Sequence, residues 1–212
     1  MTGTTAEFDG TKLGMVVAGS LTEGVEVRLD EATSTEQIKV GTFVTVKGQK
    51  LRFFGVVTDV SLGSTDPNLS GNPPDVSNPY VWEVIVGSAA YGTISVEPML
   101  TIASADDPML GLNGPQPAKT VPGHFASVHQ ASDHDVESVF GSEDEHHFWI
   151  GTPLDMETRL CLDIPELVER SNGIFGKSGT GKTFLTRLLL IGILQKGEAN
   201  NLVFDMHSEY GW

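Results

Sequence analysis

Eight consecutive residues, Gly176-Lys177-Ser178-Gly179-Thr180-Gly181-Lys182-Thr183, satisfy the pattern G-x-x-x-x-G-K-[ST], the P-loop that cradles nucleotide phosphates. Glycines at 176, 179 and 181 let the backbone curl so that successive N–H groups face one point, an anion nest completed by the positive end of the following helix. Lys182 then reaches the β- and γ-phosphates as a point charge, and the Thr183 hydroxyl ligates the magnesium ion bridging them. Lys177 completes the loop, while Ser178 and Thr180 lend chiefly backbone N–H groups. The ligand this chemistry calls for is ATP with Mg2+. The plainer alternative is a glycine-rich turn ahead of a buried helix.

The flanking residues have the pattern such a loop needs. Asn172 to Phe175 reads as a strand, and Lys182 to Lys196 reads as an apolar helix with Gly197 placed to stop it. Asn201 to Asp205 is a second short apolar run ending in an acid, the expected second parallel strand of a βαβ unit. An acid there lies where doubly wound sheets place their ligands. Asp205 and Glu209, in the run Asp205-Met206-His207-Ser208-Glu209-Tyr210, therefore join Lys182 as catalytic candidates, with Glu209 orienting the attacking water. An ordinary strand-end turn is the alternative. Because a P-loop ATPase core needs further strands and a second acidic motif, the chain is expected to end inside its second domain.

Upstream, short strands alternate with turn residues. Val25, Val27 and Leu29 alternate with Glu26, Arg28 and Asp30, and Val40, Thr42, Val44 and Val46 repeat the period of two. Further β-rich runs are Leu13 to Ala18, Leu51 to Val60, Tyr80 to Val86 and Thr93 to Ile102. About six strands at this spacing point to a small barrel over residues 1–110. Gly63 to Pro79 reads as a long surface loop, and Leu110 to Gly123 as a linker. A short helix over Ser132 to Phe140, a strand pair between His147 and Ile164, and a helical turn from Glu166 to Arg170 follow. The linker and its helix–strand connection occupy residues 111–160, and the P-loop domain begins at 161.

With 39% hydrophobic and 19% charged residues, the composition is that of a globular protein. The net charge of −15 is uneven, with 25 acidic against nine basic side chains up to residue 170 and three against four after it. Such an N-terminal surface repels nucleic-acid phosphates, so any grip on DNA must come from elsewhere. The longest apolar stretch, Leu188 to Leu194, is interrupted by Gly192 and too short for a membrane span, and Met1 to Gly10 has no signal-peptide pattern. The single Cys161 fits a reducing cytoplasm and reads as a buried structural thiol. His146 and His147 lie beside Glu143, Asp144 and Glu145, and His134 lies between two aspartates. Adjacent strand residues point to opposite faces and no Cys joins them in zinc spacing, so a solvated acidic loop is expected.

The combination of a β-barrel, a short acidic helix, the strand Ile150-Gly151-Thr152-Pro153-Leu154, the P-loop and an Asp-x-His-x-Glu-Tyr motif resembles the HerA-type ATPases, hexameric DNA translocases related to the FtsK and conjugative coupling motors. Their second-strand motif usually reads Asp-Pro-His-Gly-Glu-Tyr; here Met206 and Ser208 replace the proline and glycine. The resemblance implies an α/β multidomain protein, a small barrel followed by the first βαβ of a RecA-like P-loop domain, with Lys182, Thr183, Asp205 and Glu209 serving ATP and magnesium. It also implies a homo-hexamer, DNA contacts made by a C-terminal part beyond residue 212, a nuclease or effector partner, and no membrane. Two other readings stay open: a ring-forming P-loop ATPase without a DNA role, and a barrel module that recruits a nuclease or effector.

Overall fold

The computed structural model describes residues 10–66, 68–71, 74–75, 77–102, 114–153 and 155–210. Its contacts divide the chain into two compact units, Met1–Asp135 and Val136–Trp212.

The first unit is built on β1 (Lys12–Ser20), β2 (Gly24–Leu29), β3 (Phe43–Lys47), β4 (Arg52–Ser64), β5 (Ala90–Ile102), β6 (Gln116–Pro117) and β7 (Ser127–Gln130). Hydrogen bonds run in the order β2-β1-β7-β3-β4-β5, and β5 pairs back onto β2, so six strands close into a barrel with β6 added at the far end of β5. Closure follows from the alternation of the sequence. Val27 stands opposite Val16 on β1 and Ile94 on β5, so one face of every strand turns inward on the same cluster. Val27, Val44, Val46, Ile94, Val96 and Val128 are all completely buried, and they fill the interior with side chains. The two thirteen-residue strands β4 and β5 bend through register shifts after Phe54 and Val57. Gly55 sits at the first shift, where an added Cβ would come within 2.5 Å of the Glu97 carbonyl oxygen. Only a residue without a side chain lets the two strands approach so closely there.

Three sequence expectations change here. Tyr80 to Val86 is not a strand but part of helix α2 (Pro79–Ser88), which follows the four-residue α1 (Asn68–Gly71). The apolar and β-branched content favours a strand, but Asn78 accepts the Tyr80 N–H at 3.0 Å and Pro79 presets the first helical turn, and these capping signals prevail. The barrel does not end at residue 110, because β7 pairs with both β1 and β3 and completes the ring. The stretch read as a linker contributes β6 and then leads to β7, with residues 103–113 outside the described residues. Finally, residues 172–175 and 201–205 form no strand, since a strand needs a laddered neighbour and neither run has one among the described residues.

Helix α3 (Asp133–Phe140) begins where Ser132 Oγ accepts the Asp135 N–H at 3.2 Å and Asp135 Oδ2 accepts the Ser132 N–H at 2.9 Å, a reciprocal capping box. Asp135 also accepts a hydrogen bond from the Arg52 guanidinium of β4, which fixes the start of this helix to the barrel wall.

The second unit holds an antiparallel pair, β8 (His147–Gly151) and β9 (Leu160–Asp163), then α4 (Ile164–Glu169) and α5 (Lys182–Lys196). Asp163 caps α4 by accepting the Glu166 N–H at 3.0 Å, with Pro165 in the first turn. Helix α5 ends at Gly197, whose φ of 71° is the left-handed stop that glycine takes without strain. Its Gly192 is buried against Phe148 of β8, so closely that a Cβ would meet the ring at 2.6 Å. That contact seats the helix on the strand pair.

Candidate functional site

The loop between residues 176 and 181 is exposed, while Lys182 and Thr183 behind it are half-buried at the start of α5. Two of its glycines, Gly179 at φ 81° and Gly181 at φ 88°, have the left-handed backbone that bends the chain into a cradle. Gly176 is needed for space instead, because a Cβ there would lie 2.7 Å from Thr180 Oγ1. The Thr180 hydroxyl donates to the Lys177 carbonyl at 2.8 Å, and Lys182 Nζ donates to the same carbonyl at 2.7 Å, so one oxygen gathers both ends of the loop.

This arrangement suits the phosphates of a nucleotide with magnesium. Gly181, the N-cap of α5, makes no side-chain cap, and the first N–H groups of a helix are the ones an anion can take. Among the described residues no carboxylate forms an ion pair with Lys182. The loop is cationic and N–H rich, and the Thr183 hydroxyl is of the kind that hard Mg2+ accepts as an oxygen ligand.

The turn after residue 205 folds onto this helix. Asp205 Oδ1 accepts the N–H groups of His207 at 3.3 Å and Glu209 at 3.0 Å, and Oδ2 accepts that of Tyr210 at 2.8 Å. The Asp205 carboxylate thus shapes the turn that carries Glu209. Ser208 lies within it at φ 55°, the left-handed region that favours glycine. Glu209 Oε2 then accepts a hydrogen bond from the Thr183 hydroxyl at 2.7 Å. Of the residues singled out in sequence, the structure joins Thr183 and Glu209 directly, spends Asp205 on backbone donors, and lays Lys182 across the loop.

One residue of the site escaped the sequence reading. Arg187 donates to the Glu209 carbonyl oxygen, and its guanidinium stands 5.8 Å from the Tyr210 ring centroid. The signal was its position, four residues after Thr183 and hence on the same helix face, as the only charged residue between Lys182 and Lys196.

The remaining candidates lie elsewhere in this unit. His147 Nδ1 contacts Asp144 Oδ1 at 2.9 Å and His146 Nδ1 contacts Glu198 Oε1 at 3.2 Å, while Lys196 Nζ donates to the Asp144 carbonyl at 2.5 Å. These bonds tie the end of α5 to the 144–147 turn. Among the described residues no group of three or more His, Cys, Asp or Glu side chains could hold a metal ion. The N–H groups of His147 and His146 hold the Asp144 carboxyl far below its ordinary value, the larger part coming from His147. Cys161 is buried and burial pushes its thiol upward, the opposite of what a nucleophile needs. Among the described residues no helix is long and apolar enough to cross a membrane.

Two stretches of the chain match known families. Residues 13–104 match the HAS barrel domain, and residues 148–212 match the family described as Helicase HerA, central domain. No curated protein matches the chain.

Proposed function

We propose that this HerA-type chain, a HAS barrel preceding HerA central-domain sequence, binds ATP with Mg2+ at residues 176–183 to drive a ring-shaped, homo-hexameric DNA translocase in the cytoplasm. Lys182 and the N–H groups of the loop and helix start hold the phosphates, and Thr183 holds the metal. When bound, magnesium neutralises charge on the β- and γ-phosphates. Glu209 accepts a bond from Thr183 through Oε2, which leaves Oε1 to orient the attacking water. The observation that carries this reading is the 2.7 Å contact between Thr183 and Glu209, which brings the P-loop hydroxyl and the acid of the second motif to one point from 26 residues apart.

The acidic barrel serves as a cap and docking module for a nuclease or effector, and the DNA grip lies outside it, since 25 acidic against nine basic side chains up to residue 170 disfavour phosphate contact. The test is ATP turnover by the intact protein with and without duplex DNA. DNA should stimulate turnover. Turnover that ignores DNA would point to a ring ATPase without a DNA role.

A further inference from the structure

We propose that Arg187 is a positioning residue that sets the magnesium requirement of the site by clamping Glu209 against Thr183. The inference rests on the reading of residues 176–183 as an ATP and Mg2+ site. Thr183 and Arg187 stand one turn apart on α5, and both hold the same acid: Thr183 donates to Glu209 Oε2 at 2.7 Å, and Arg187 donates to the Glu209 main-chain carbonyl. The guanidinium also lies beside the Tyr210 ring, 5.8 Å from its centroid, so it grips the residue after Glu209 as well. Asp205 ties the opposite side of the same turn through the Glu209 and Tyr210 N–H groups, at 3.0 and 2.8 Å. With its backbone pinned on two sides, Glu209 can hold its carboxylate at one place on the helix.

The consequence for the metal follows from the chemistry of a hydroxyl. Thr183 has one proton and two lone pairs; giving the proton to Glu209 fixes where the lone pairs point and makes the oxygen a better ligand. Partners of this kind behind a metal ligand change metal affinity by about 10- to 100-fold when removed. Arg187 acts one step further back, through Glu209. Its loss should weaken Mg2+ binding while sparing the phosphate contacts made by Lys182 and the backbone N–H groups. Lysine keeps one donor for the Glu209 carbonyl but lacks the planar fork that also lies beside Tyr210, so Arg187→Lys should fall between.

The experiment is equilibrium titration of the chain with a fluorescent ATP analogue, first in EDTA and then across a Mg2+ series, for wild type, Arg187→Ala, Arg187→Lys and Glu209→Gln. Arg187→Ala is expected to bind the analogue like wild type in EDTA but to need about tenfold more Mg2+ for the magnesium-dependent gain. Glu209→Gln should shift the same way, and Arg187→Lys by less. A wild-type Mg2+ dependence in Arg187→Ala would overturn the inference, as would equal weakening with and without the metal, which marks a general packing role. If wild type binds no nucleotide in either buffer, the site reading itself fails and this inference with it.

Discussion

The barrel and the P-loop unit solve different problems with the same kinds of residue. In the barrel, the inward-facing strand residues are covered because the sheet closes on itself, and Val27, Ile94 and Val96 are completely buried. Beside the P-loop, Phe175 is 93% exposed, Leu202 81% and Phe204 87%. Yet the cradle at 176–183 is formed, because two glycine dihedrals and bonds to a single carbonyl suffice to shape it. Burial holds the first region together, whereas short-range hydrogen bonding shapes the chemistry of the second. Stability and phosphate recognition should therefore respond to different substitutions.

The largest effect is expected in the barrel. Ile94→Ala removes a fully buried side chain opposite Val27 and Val60 and should cost about 3 kcal/mol by transfer and cavity terms. Denaturant unfolding of the barrel measures the loss, and nucleotide affinity under folding conditions should not change with it. A smaller effect tests the seat of α5. Alanine normally improves a helix over glycine by about 1 kcal/mol, but a Cβ at Gly192 would meet the Phe148 ring at 2.6 Å. Overpacking of this kind costs about 1–3 kcal/mol, so Gly192→Ala should destabilise the C-terminal unit by about 1 kcal/mol net. A gain in its melting temperature would show that the helix is not seated through this contact.

The smallest effect is one of acidity. Asp144 is held below its ordinary value of 3.8 by the His147 and His146 N–H groups, so its folded form is the stronger acid. Its contribution is therefore full above 3.8 and is lost as the pH falls below that value toward the folded one. Asp144→Asn should be less stable than wild type near neutrality, and the two should converge on acidification. Thermal unfolding across that range reads the difference, which is small because the carboxylate is exposed.

How much was legible in sequence depended on the distance over which each feature is determined. The P-loop helix, Lys182 to Lys196 with Gly197 as its stop, was readable because capping and periodicity are local. So were the barrel strands with strict alternation, such as Gly24–Leu29. Tyr80 to Val86 misled because its apolar, β-branched composition was weighed above the Asn78-Pro79 start. The closing strand Ser127–Gln130 was missed because four residues show too little alternation, and its place is fixed by partners 80 or more residues away on β1 and β3. Motif spacing singled out Lys182, Thr183 and Glu209, and the structure bonds the Thr183 hydroxyl to Glu209. Arg187 was not, because its role lies in a contact with the backbone of a residue 22 positions later, which no motif encodes. Ser208 stands where the resemblance expects glycine, and its φ of 55° gives the physical reason for that expectation.

The central claim, that residues 176–183 are a phosphate cradle whose charge comes from Lys182, is tested most directly by ATP-analogue binding to the chain and to Lys182→Ala. Losing a charge-assisted contact of about 1.5–3 kcal/mol should weaken binding by roughly 10- to 100-fold while the fold is kept. Equal affinity in a folded Lys182→Ala variant would contradict the account.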